Sequence, residues 1–311
     1  MLQWLRRLFV NAPRAPRVDL QGRRIIVTGA SPGSIGYETA RTLAAWGAQV
    51  TVTTRGAPEA AAMQLRQASG GAVDAHVLDL ADASSVATFA DWYRQTHGGQ
   101  LDVLVNNAGI HLDLMSEWKQ PRLSADGHEI QWRTNYLGSA QLTQRLLPLL
   151  QATAAQRGEA RIVNVVSMLH ARGSNAGLFA PPARYNSWAA YGNSKLALVH
   201  ASFEQQRRHA PQIQSYCLHP GAVYTRIADK GLAGHPGIAR LRRLMAPVEA
   251  FFLLTPEEGA QTSVLCATQP QLQGGRYFRN CQPATPSRDA QDAQVSARLW
   301  DETLAWIGTQ P

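Results

Sequence analysis

Short runs of β-branched and apolar residues recur along the chain, each bounded by turn residues. They predict six strands, at RRIIVT (23–28), AQVTVTT (48–54), VDAHVL (73–78), LDVLVN (101–106), ARIVNVV (160–166) and IQSYCL (213–218). Stretches of helical length lie between them, at 35–46, 84–96, 127–150 and 188–208. This alternation predicts an α/β, single-domain Rossmann fold: a doubly wound parallel sheet with helices on both faces. Ligands of such a sheet bind at the carboxyl ends of its strands.

The remaining segments are expected to flank or cover this sheet. We expect an N-terminal extension at 1–20, a Rossmann domain at 21–285 with a substrate lid at about 226–254, and a C-terminal helical extension at 286–311. In the first extension, helical spacing is shared by four apolar residues, Leu2, Leu5, Leu8 and Phe9. We interpret it as a docking helix or a frayed tail, with weak adhesion to a membrane surface as the second interpretation.

The composition is typical of a folded enzyme and excludes several other classes. Of 311 residues, 45% are hydrophobic and 17% charged, so the chain can bury a large core. No apolar run approaches the roughly 20 residues of a membrane span. The formal charge of +8 is scattered, without a basic stripe, so we expect no nucleic-acid partner. Three cysteines without a CxxC pair predict a cytoplasmic protein, with peripheral membrane contact as an option, and no metal site.

A glycine-rich turn follows the first predicted strand and precedes the first predicted helix. It reads TGASPGSIG (28–36), and glycine lets backbone N–H groups at a helix N-terminus approach a pyrophosphate. The turn therefore predicts a dinucleotide site formed by Gly29, Ser31, Gly33, Ser34, Ile35 and Gly36. The same letters contain the G-x-S-x-G pattern of serine hydrolases. Pro32 follows the serine and has no N–H to donate to an oxyanion, which disfavours a hydrolase.

A phenol and an ammonium stand four residues apart in YGNSK (191–195). This spacing places Tyr191 and Lys195 on one face of a predicted helix. A nearby cation favours the phenolate, so the pair can exchange a proton with a carbonyl or alcohol oxygen near neutral pH. An exposed pair of helix residues is the alternative interpretation.

Together with further motifs in the same order, these features resemble the short-chain dehydrogenases/reductases and, within them, the retinol dehydrogenase-like branch. The resemblance runs from about Gly22 to Cys281. Beyond the glycine loop and YGNSK, it is carried by Asp79-Leu80, Asn106-Asn107-Ala108-Gly109, Asn135 in TNYLGS, Ser167 in VVSMLH, HPGAVYT (219–225), TPEEGAQTSVLCA (255–267) and GGRYF (274–278). The loop is one residue longer than the family's T-G-x3-G-x-G. Either Ser34 is inserted or it replaces the middle glycine, so Gly33 and Ser34 are both candidates to face the phosphate.

The resemblance implies a role for each matching residue. Tyr191 would protonate the carbonyl oxygen or deprotonate the alcohol, while Lys195 would lower the pKa of the tyrosine and hold the nicotinamide ribose. Ser167 would hydrogen-bond the substrate oxygen, and Asn135 would hold a water that links Lys195 to solvent. Further cofactor contacts are implied for Asp79 and Leu80 at the adenine, Asn106, Ala108 and Gly109 at the middle, and Pro220, Gly221, Val223 and Thr225 at the nicotinamide.

The end of the second predicted strand indicates which coenzyme binds. It reads Thr53-Thr54-Arg55, and no acid follows before Glu59. NAD enzymes place an acid there for the ribose 2′-hydroxyl, whereas NADP enzymes offer an arginine to the 2′-phosphate. We therefore expect NADP(H) in preference to NAD(H), with a solvated loop charge as the alternative interpretation of Arg55.

The sequence constrains the substrate less closely. Two apolar segments are expected to form its pocket, 168–190 and 226–254, through Leu169, Leu178, Phe179, Trp188, Leu244, Met245, Phe251 and Phe252. They indicate a lipophilic ketone, aldehyde or secondary alcohol, and ordinary packing of a lid is the alternative. His170 is interpreted as a packed or surface histidine rather than a substrate contact.

Two other functions are compatible with the sequence, and an oligomeric state is also expected. The chain could instead be an NADPH-dependent C=C reductase of the protochlorophyllide reductase type, or a cofactor-binding protein without turnover. The family resemblance also implies a homo-oligomer, in which the helices at 127–150 and 188–208 form a four-helix dimer seam.

Overall fold

The strands of the computed structural model, which describes residues 12–180, 183–223 and 253–310, form one sheet. Within these residues the sheet has eight strands: β1 (Arg24–Thr28), β2 (Gln49–Thr54), β3 (Val73–Val77), β4 (Val103–Asn106), β5 (Ala160–Val165), β6 (Ile213–His219), β7 (Arg276–Arg279) and β8 (Gln282–Ala284). Their order is β3-β2-β1-β4-β5-β6-β7-β8. Every neighbouring pair is parallel except β7 and β8. The doubly wound parallel sheet predicted from the sequence is confirmed.

Helices cover both faces of the sheet. Those that the structure describes are α1 (Ile35–Ala45), α2 (Pro58–Ser69), α3 (Ala83–Thr96), α4 (Gly138–Arg157), α5 (Asn175–Phe179), α6 (Ser187–His209), α7 (Pro256–Thr268) and α8 (Ala293–Ile307). Buried side chains of α1, α2 and α7 share one apolar cluster with the sheet, and those of α3 and α4 share another. The strands are buried on both faces, which explains why they read as continuous apolar runs in the sequence.

The strand order reverses at β1, whose neighbours are β2 on one side and β4 on the other. Loops leaving the carboxyl ends of these strands turn to opposite faces, so a crevice opens there. The glycine loop leaves β1 at this point, and Gly109 follows β4 beside it. The topology therefore places the predicted cofactor residues at one edge of the sheet.

The helix predicted at 127–150 differs from the observed one. It begins with one α-helical turn at Ile130–Trp132, continues through a π-helical segment at Arg133–Leu137, and only then becomes α4. At the junction Gly138 packs against the backbone of Leu80, with no room for a side chain. The π-helical segment carries Asn135, which is consequently placed by an irregular turn rather than by a regular helix.

The C-terminal helix α8 lies across α6. Trp300 is fully buried in their shared apolar cluster, and the Tyr136 hydroxyl lies 2.6 Å from Oγ1 of Thr303. His200 on α6 bonds Ser296 on α8 at 2.7 Å. The helix at 188–208 is therefore packed against the chain's own C-terminal helix. A homo-oligomer, with the expected seam formed by the helices at 127–150 and 188–208, stays a prediction.

Some expectations concern segments beyond the described part of the chain. The apolar positions Leu2, Leu5, Leu8 and Phe9 lie outside the described residues, as do Thr225, most of the expected lid, and its residues Leu244, Met245, Phe251 and Phe252. Among the described helices, none is long and apolar enough to cross a membrane.

Candidate active site

A cavity of about 980 Å³ opens at the carboxyl ends of the strands. Its lining includes most of the predicted site residues: Gly29, Ser31, Gly33, Ser34, Ile35, Arg55, Asp79, Leu80, Ala108, Gly109, Ser167, Tyr191, Lys195, Pro220, Gly221 and Val223. Three predicted residues, Gly36, Asn106 and Asn135, do not line it. Residues predicted from separate motifs are thus brought to one cavity, and the three exceptions support the residues that line it.

Each glycine of the loop meets a different local requirement. Gly29 has φ of +72°, and a Cβ there would lie 2.8 Å from Cα of Ala108. Gly33 has φ of +77° and open space where a Cβ would point. Gly36 packs inward, since a Cβ there would lie 2.6 Å from the carbonyl oxygen of Gly29. The first and third glycines therefore permit close packing, while Gly33 leaves the cavity side of the loop open.

Ser34 caps the helix that follows the loop. Its Oγ accepts a hydrogen bond from the amide of Tyr37 at 3.1 Å and donates to the carbonyl oxygen of Gly29 at 3.3 Å. Ser34 is thus engaged in ending the turn and starting α1. Gly33 and Ser34 both line the cavity, so both remain candidates to face a phosphate.

Two polar residues that sequence reasoning did not select hold β1 and β4 together at the cavity edge. Thr28 accepts hydrogen bonds at Oγ1 from the amides of Asn107 and Ala108, both at 3.0 Å. The side chain of Asn107 donates to the carbonyl oxygens of Thr28 and Gly29, at 2.8 and 3.2 Å. A signal was present in the sequence, since a polar residue ending a buried strand needs a partner.

The structure corrects the expectation for Asn106, which was predicted to line the middle of the cofactor. Its amide is buried beneath the cavity and donates to Thr143 at 3.0 Å and to Asn164 at 2.9 Å. Alternate residues of a strand point to opposite sides, so Asn106 and Asn107 cannot both face the crevice. Asn106 ties β4 to β5 and α4 instead.

The far end of the cavity, at β2 and β3, is sparsely charged. Of the described lining residues, Arg55 and Lys195 are the arginine and the lysine, and Asp79 is the one carboxylate residue. Arg55 is exposed at the end of β2. One oxygen of Asp79 accepts the amide of Ala81 at 2.9 Å. A ligand with a negative group near β2 would therefore meet a guanidinium and no carboxylate from β2.

Lys195 is buried at the opposite end of the cavity. Its Nζ donates to the carbonyl oxygen of Val165 at 3.1 Å, and burial lowers its pKa to about 8. Asn135 lies close by without lining the cavity, and its amide exchanges two hydrogen bonds with the backbone of Ile110, at 2.7 and 2.9 Å. Gly109 fits between them, because a Cβ there would be 3.1 Å from Nζ.

Tyr191 and Ser167 meet beside this lysine. Tyr191 is 8% exposed, and Nζ of Lys195 lies 5.8 Å from its ring centre. Burial raises the pKa of Tyr191 to about 12, and a hydrogen bond with Ser167 opposes the shift. The pKa of Tyr191 is thus raised, not lowered as the resemblance implies, because burial of the phenol is the largest influence on it. Tyr191 is a protonated phenol at neutral pH.

Ser167 also begins the 3₁₀ turn that follows β5. Its Oγ accepts the amide of Leu169 at 3.2 Å, and its carbonyl oxygen accepts Nδ1–H of His170 at 2.7 Å. Nε2 of His170 accepts the amide of Ser287 at 2.9 Å. His170 is a packed histidine that ties the 3₁₀ turn to the C-terminal segment, and it does not line the cavity.

The apolar wall differs from the one expected at 168–190. Leu178 lies in the core, and Phe179 packs under the guanidinium of Arg298 at 3.9 Å. The apolar residues that line the cavity come from other segments, among them Leu114, Val223 and Leu253.

His111 is a cavity residue that the sequence analysis missed. Its ring stacks on Tyr191 with centroids 4.1 Å apart and planes at 13°, and it is 5% exposed. A second buried histidine, His219, lines the cavity next to Pro220. Burial lowers the pKa of both histidines to about 4, so both are neutral near pH 7. The described residues hold no cluster of acidic, cysteine or histidine side chains suited to a metal ion.

Comparison with known proteins agrees with this geometry. A model of the short chain dehydrogenase family matches residues 23–234. The chain is 39% identical to a "probable oxidoreductase" of Streptomyces lividans, over 91% of this chain and 97% of that protein. It is 34% identical to retinol dehydrogenase 12 of Homo sapiens, over 98% and 92% of the two chains. The solved RhlG/NADP complex of Pseudomonas aeruginosa has a TM-score of 0.63 and 26% identity, covering 89% of this chain and 98% of that one.

The family match and the relatives cover the residues that line the cavity as well as those that build the sheet. The chain therefore belongs to the short-chain dehydrogenase/reductase family, in its retinol dehydrogenase-like branch, and is an oxidoreductase acting on CH–OH or C=O groups.

Proposed function

We propose that this protein interconverts a lipophilic ketone or aldehyde and its alcohol with NADP(H), using Tyr191 as the general acid or base. One observation carries the proposal: Ser167, Tyr191 and Lys195 converge at one end of a single cavity, and Arg55 stands at the other. The relatives named as oxidoreductases fit the same reaction class.

The cavity fits a nicotinamide dinucleotide. Gly33 leaves open space beside the N-terminus of α1, where free N–H groups and the helix dipole favour a pyrophosphate. Lys195 lies at the end where it would meet the nicotinamide ribose, near Pro220, Gly221 and Val223. When bound, NADPH supplies the hydride for carbonyl reduction. Asp79 and Leu80 line the cavity where the adenine would be held.

The protein groups handle the proton of the reaction. The buried Tyr191 is protonated at neutral pH, so it can donate its proton to a carbonyl oxygen as negative charge develops there. Ser167 offers a hydroxyl within hydrogen-bond reach of the tyrosine, which lets both groups contact one substrate oxygen. The ammonium of Lys195 stabilises the phenolate left behind. The amide of Asn135 donates to the hydroxyl of Ser194 at 3.0 Å. We therefore assign Asn135 to supporting α6, which carries Tyr191 and Lys195, rather than to contacting substrate.

Coenzyme choice rests on Arg55. A 2′-phosphate near the end of β2 would meet this exposed guanidinium, and no carboxylate among the described lining residues of β2 opposes it. The solved relative at 26% identity was crystallised with NADP. These observations support NADP(H) over NAD(H).

The substrate class follows from the Tyr191 end of the cavity. Leu114, Val223 and Leu253 present apolar surface there, and relatives of similar length are named retinol dehydrogenases. A lipophilic carbonyl compound would bury its chain against these residues while its oxygen meets Ser167 and Tyr191. We also retain the expected lid at 226–254 and the domain at 21–285 as parts of this proposal.

The test is a panel of carbonyl compounds arranged in pairs. Each pair holds a saturated ketone or aldehyde and its α,β-unsaturated analogue, incubated with NADPH while coenzyme oxidation and product structure are followed. We expect both members to be reduced at the carbonyl carbon. Reduction of only the unsaturated members, at C=C, would support the protochlorophyllide-type alternative, and binding of NADPH without oxidation across the panel would support the non-catalytic one.

A further inference from the structure

His111 and Tyr191 form a parallel pair of rings at the substrate end of the cavity. Their planes are within 13° and their centres 4.1 Å apart, so the imidazole lies against one face of the phenol. Offset parallel rings at this distance attract each other, and a rigid partner restricts rotation of the phenol about its side-chain bonds. His111 comes from the segment after β4, whereas Tyr191 comes from α6. The contact therefore fixes the tyrosine relative to the sheet.

The backbone on both sides of His111 is held in place. Ile110 exchanges two hydrogen bonds with the side chain of Asn135, at 2.7 and 2.9 Å. The amide of Leu112 donates to Gln131 at 3.0 Å, and its carbonyl oxygen accepts the hydroxyl of Ser187. Because both neighbours are anchored, the backbone that carries the imidazole cannot shift without breaking these hydrogen bonds.

A second ring holds the imidazole from the outer side. Trp188 meets His111 edge to face at 4.6 Å and 89°, and its Nε1 donates to the carbonyl oxygen of Leu114 at 3.1 Å. The exposed guanidinium of Arg172 lies 4.8 Å over the Trp188 ring. A continuous series of ring contacts thus runs from the exposed Arg172 through Trp188 and His111 to the buried phenol of Tyr191.

The imidazole takes part in this stack as an uncharged ring. Burial, with the nearby cations Lys195 and Arg172, lowers the pKa of His111 to about 4. Nε2 is buried and has no hydrogen-bond partner among the residues that the structure describes. A group that stays neutral through the physiological range does not exchange protons there, so we assign His111 no acid or base role in the reaction.

We propose that His111 is a positioning residue: its stacked ring holds the phenol of Tyr191 in the orientation from which the proton is transferred. This inference rests on the proposed role of Tyr191. A reacting group displaced by about 1 Å loses on the order of 10²-fold in rate, so losing the stack should reduce turnover while leaving the dinucleotide contacts intact. Asn135 and Trp188 act through His111 in this arrangement.

Two variants of similar volume separate ring stacking from the chemistry of the imidazole. His111→Phe keeps a flat ring without nitrogen atoms, and we expect kcat within about threefold of the wild type. His111→Leu fills the space without a flat ring, and we expect kcat to fall about 10- to 100-fold with the Kd of NADPH within twofold. Wild-type turnover in His111→Leu would overturn the proposal. Equal losses in both variants would overturn it too, by assigning the role to a ring nitrogen.

A readout besides activity keeps this inference distinct from the proposed function. With tyrosine labelled by ¹³C in the ring, the Tyr191 resonance is assigned by its absence in Tyr191→Phe. We expect His111→Leu to shift and broaden this resonance and His111→Phe to leave it sharp. An unchanged resonance in folded His111→Leu would refute positioning. Full turnover in Tyr191→Phe combined with the expected spectra would refute the proton donor while leaving the positioning contact established.

Discussion

The glycine-loop end of the cavity is formed by residues that are close in sequence, whereas the Tyr191 end is formed by residues from distant segments. At the first, Gly29, Gly33 and Ser34 are chain neighbours, and their positions follow from two left-handed glycines and one helix cap. At the second, Ser167 comes from the end of β5 and Tyr191 from α6, and both depend on contacts between distant segments. The first end offers backbone to a ligand, whereas the second offers side chains.

The two ends also differ in their electrostatics. Arg55 is exposed, so its charge acts in water and favours binding of an anion. Tyr191 and Lys195 are buried, and burial moves the pKa of both groups toward the uncharged form. Substitutions at the first end should therefore change affinity or coenzyme choice, and substitutions at the second should change turnover.

The largest effect is expected at the buried end, from Tyr191→Phe. The ring and its contact with His111 remain while the transferable proton is lost, so turnover should fall by roughly 10² to 10⁴. The Kd of NADPH should stay within about twofold, measured by quenching of protein fluorescence. A variant that keeps most of its turnover would remove Tyr191 from the mechanism.

The corresponding change at the exposed end is Arg55→Asp. It removes the guanidinium and adds repulsion toward a 2′-phosphate, so the preference for NADPH over NADH should shrink or invert by about one to two powers of ten. The change should appear mainly in coenzyme KM, because this end is remote from the hydride. Arg17→Asp, at an exposed position that does not line the cavity, controls for the altered net charge. An unchanged coenzyme ratio in Arg55→Asp would contradict the assignment.

The contrast explains how much of the molecule the sequence could predict. Six strands and the glycine loop were found because their signals are local: β-branched runs, turn residues and glycine spacing. The strand β7 (Arg276–Arg279) escaped notice because only its two middle residues are buried and it is four residues long. The packing of α8 against α6 was not predicted either, because the sequence does not show which helix the buried Trp300 contacts.

At the site, motif residues were found and supporting residues were not. The spacing of Tyr191 and Lys195 identifies both as candidate site residues. His111, in contrast, is a single polar residue in a loop, and no local sequence feature indicates that it stacks on a phenol. The raised pKa of Tyr191 was also unpredictable, because burial is a property of the folded chain. Asn106 was misplaced because the strand's exact end decides which of two asparagines faces the crevice.

A smaller effect is expected from titration of Lys195. Burial lowers its pKa to about 8, so the ammonium is present below that pH and is lost as the pH rises through it. The value of kcat/KM for reduction should therefore decline above about pH 8, by at most tenfold per unit. The buried histidines titrate near pH 4 and should cause no break between pH 6 and 7. A decline that persists in Lys195→Met would assign the titration to another group.

The smallest effect is expected in the glycine loop, from Ser34→Ala. The hydroxyl caps α1 through the amide of Tyr37, so its loss should lower the free energy of unfolding by about 1 kcal/mol and leave the Kd of NADPH within twofold. Ser34→Thr keeps a capping hydroxyl and should retain most of this stability. Gly33→Ala should instead weaken NADPH binding, because its Cβ would enter the open space beside the loop. The reverse pattern, with weaker binding and unchanged stability in Ser34→Ala, would mean that this hydroxyl faces the phosphate and has taken over the function of the family's middle glycine.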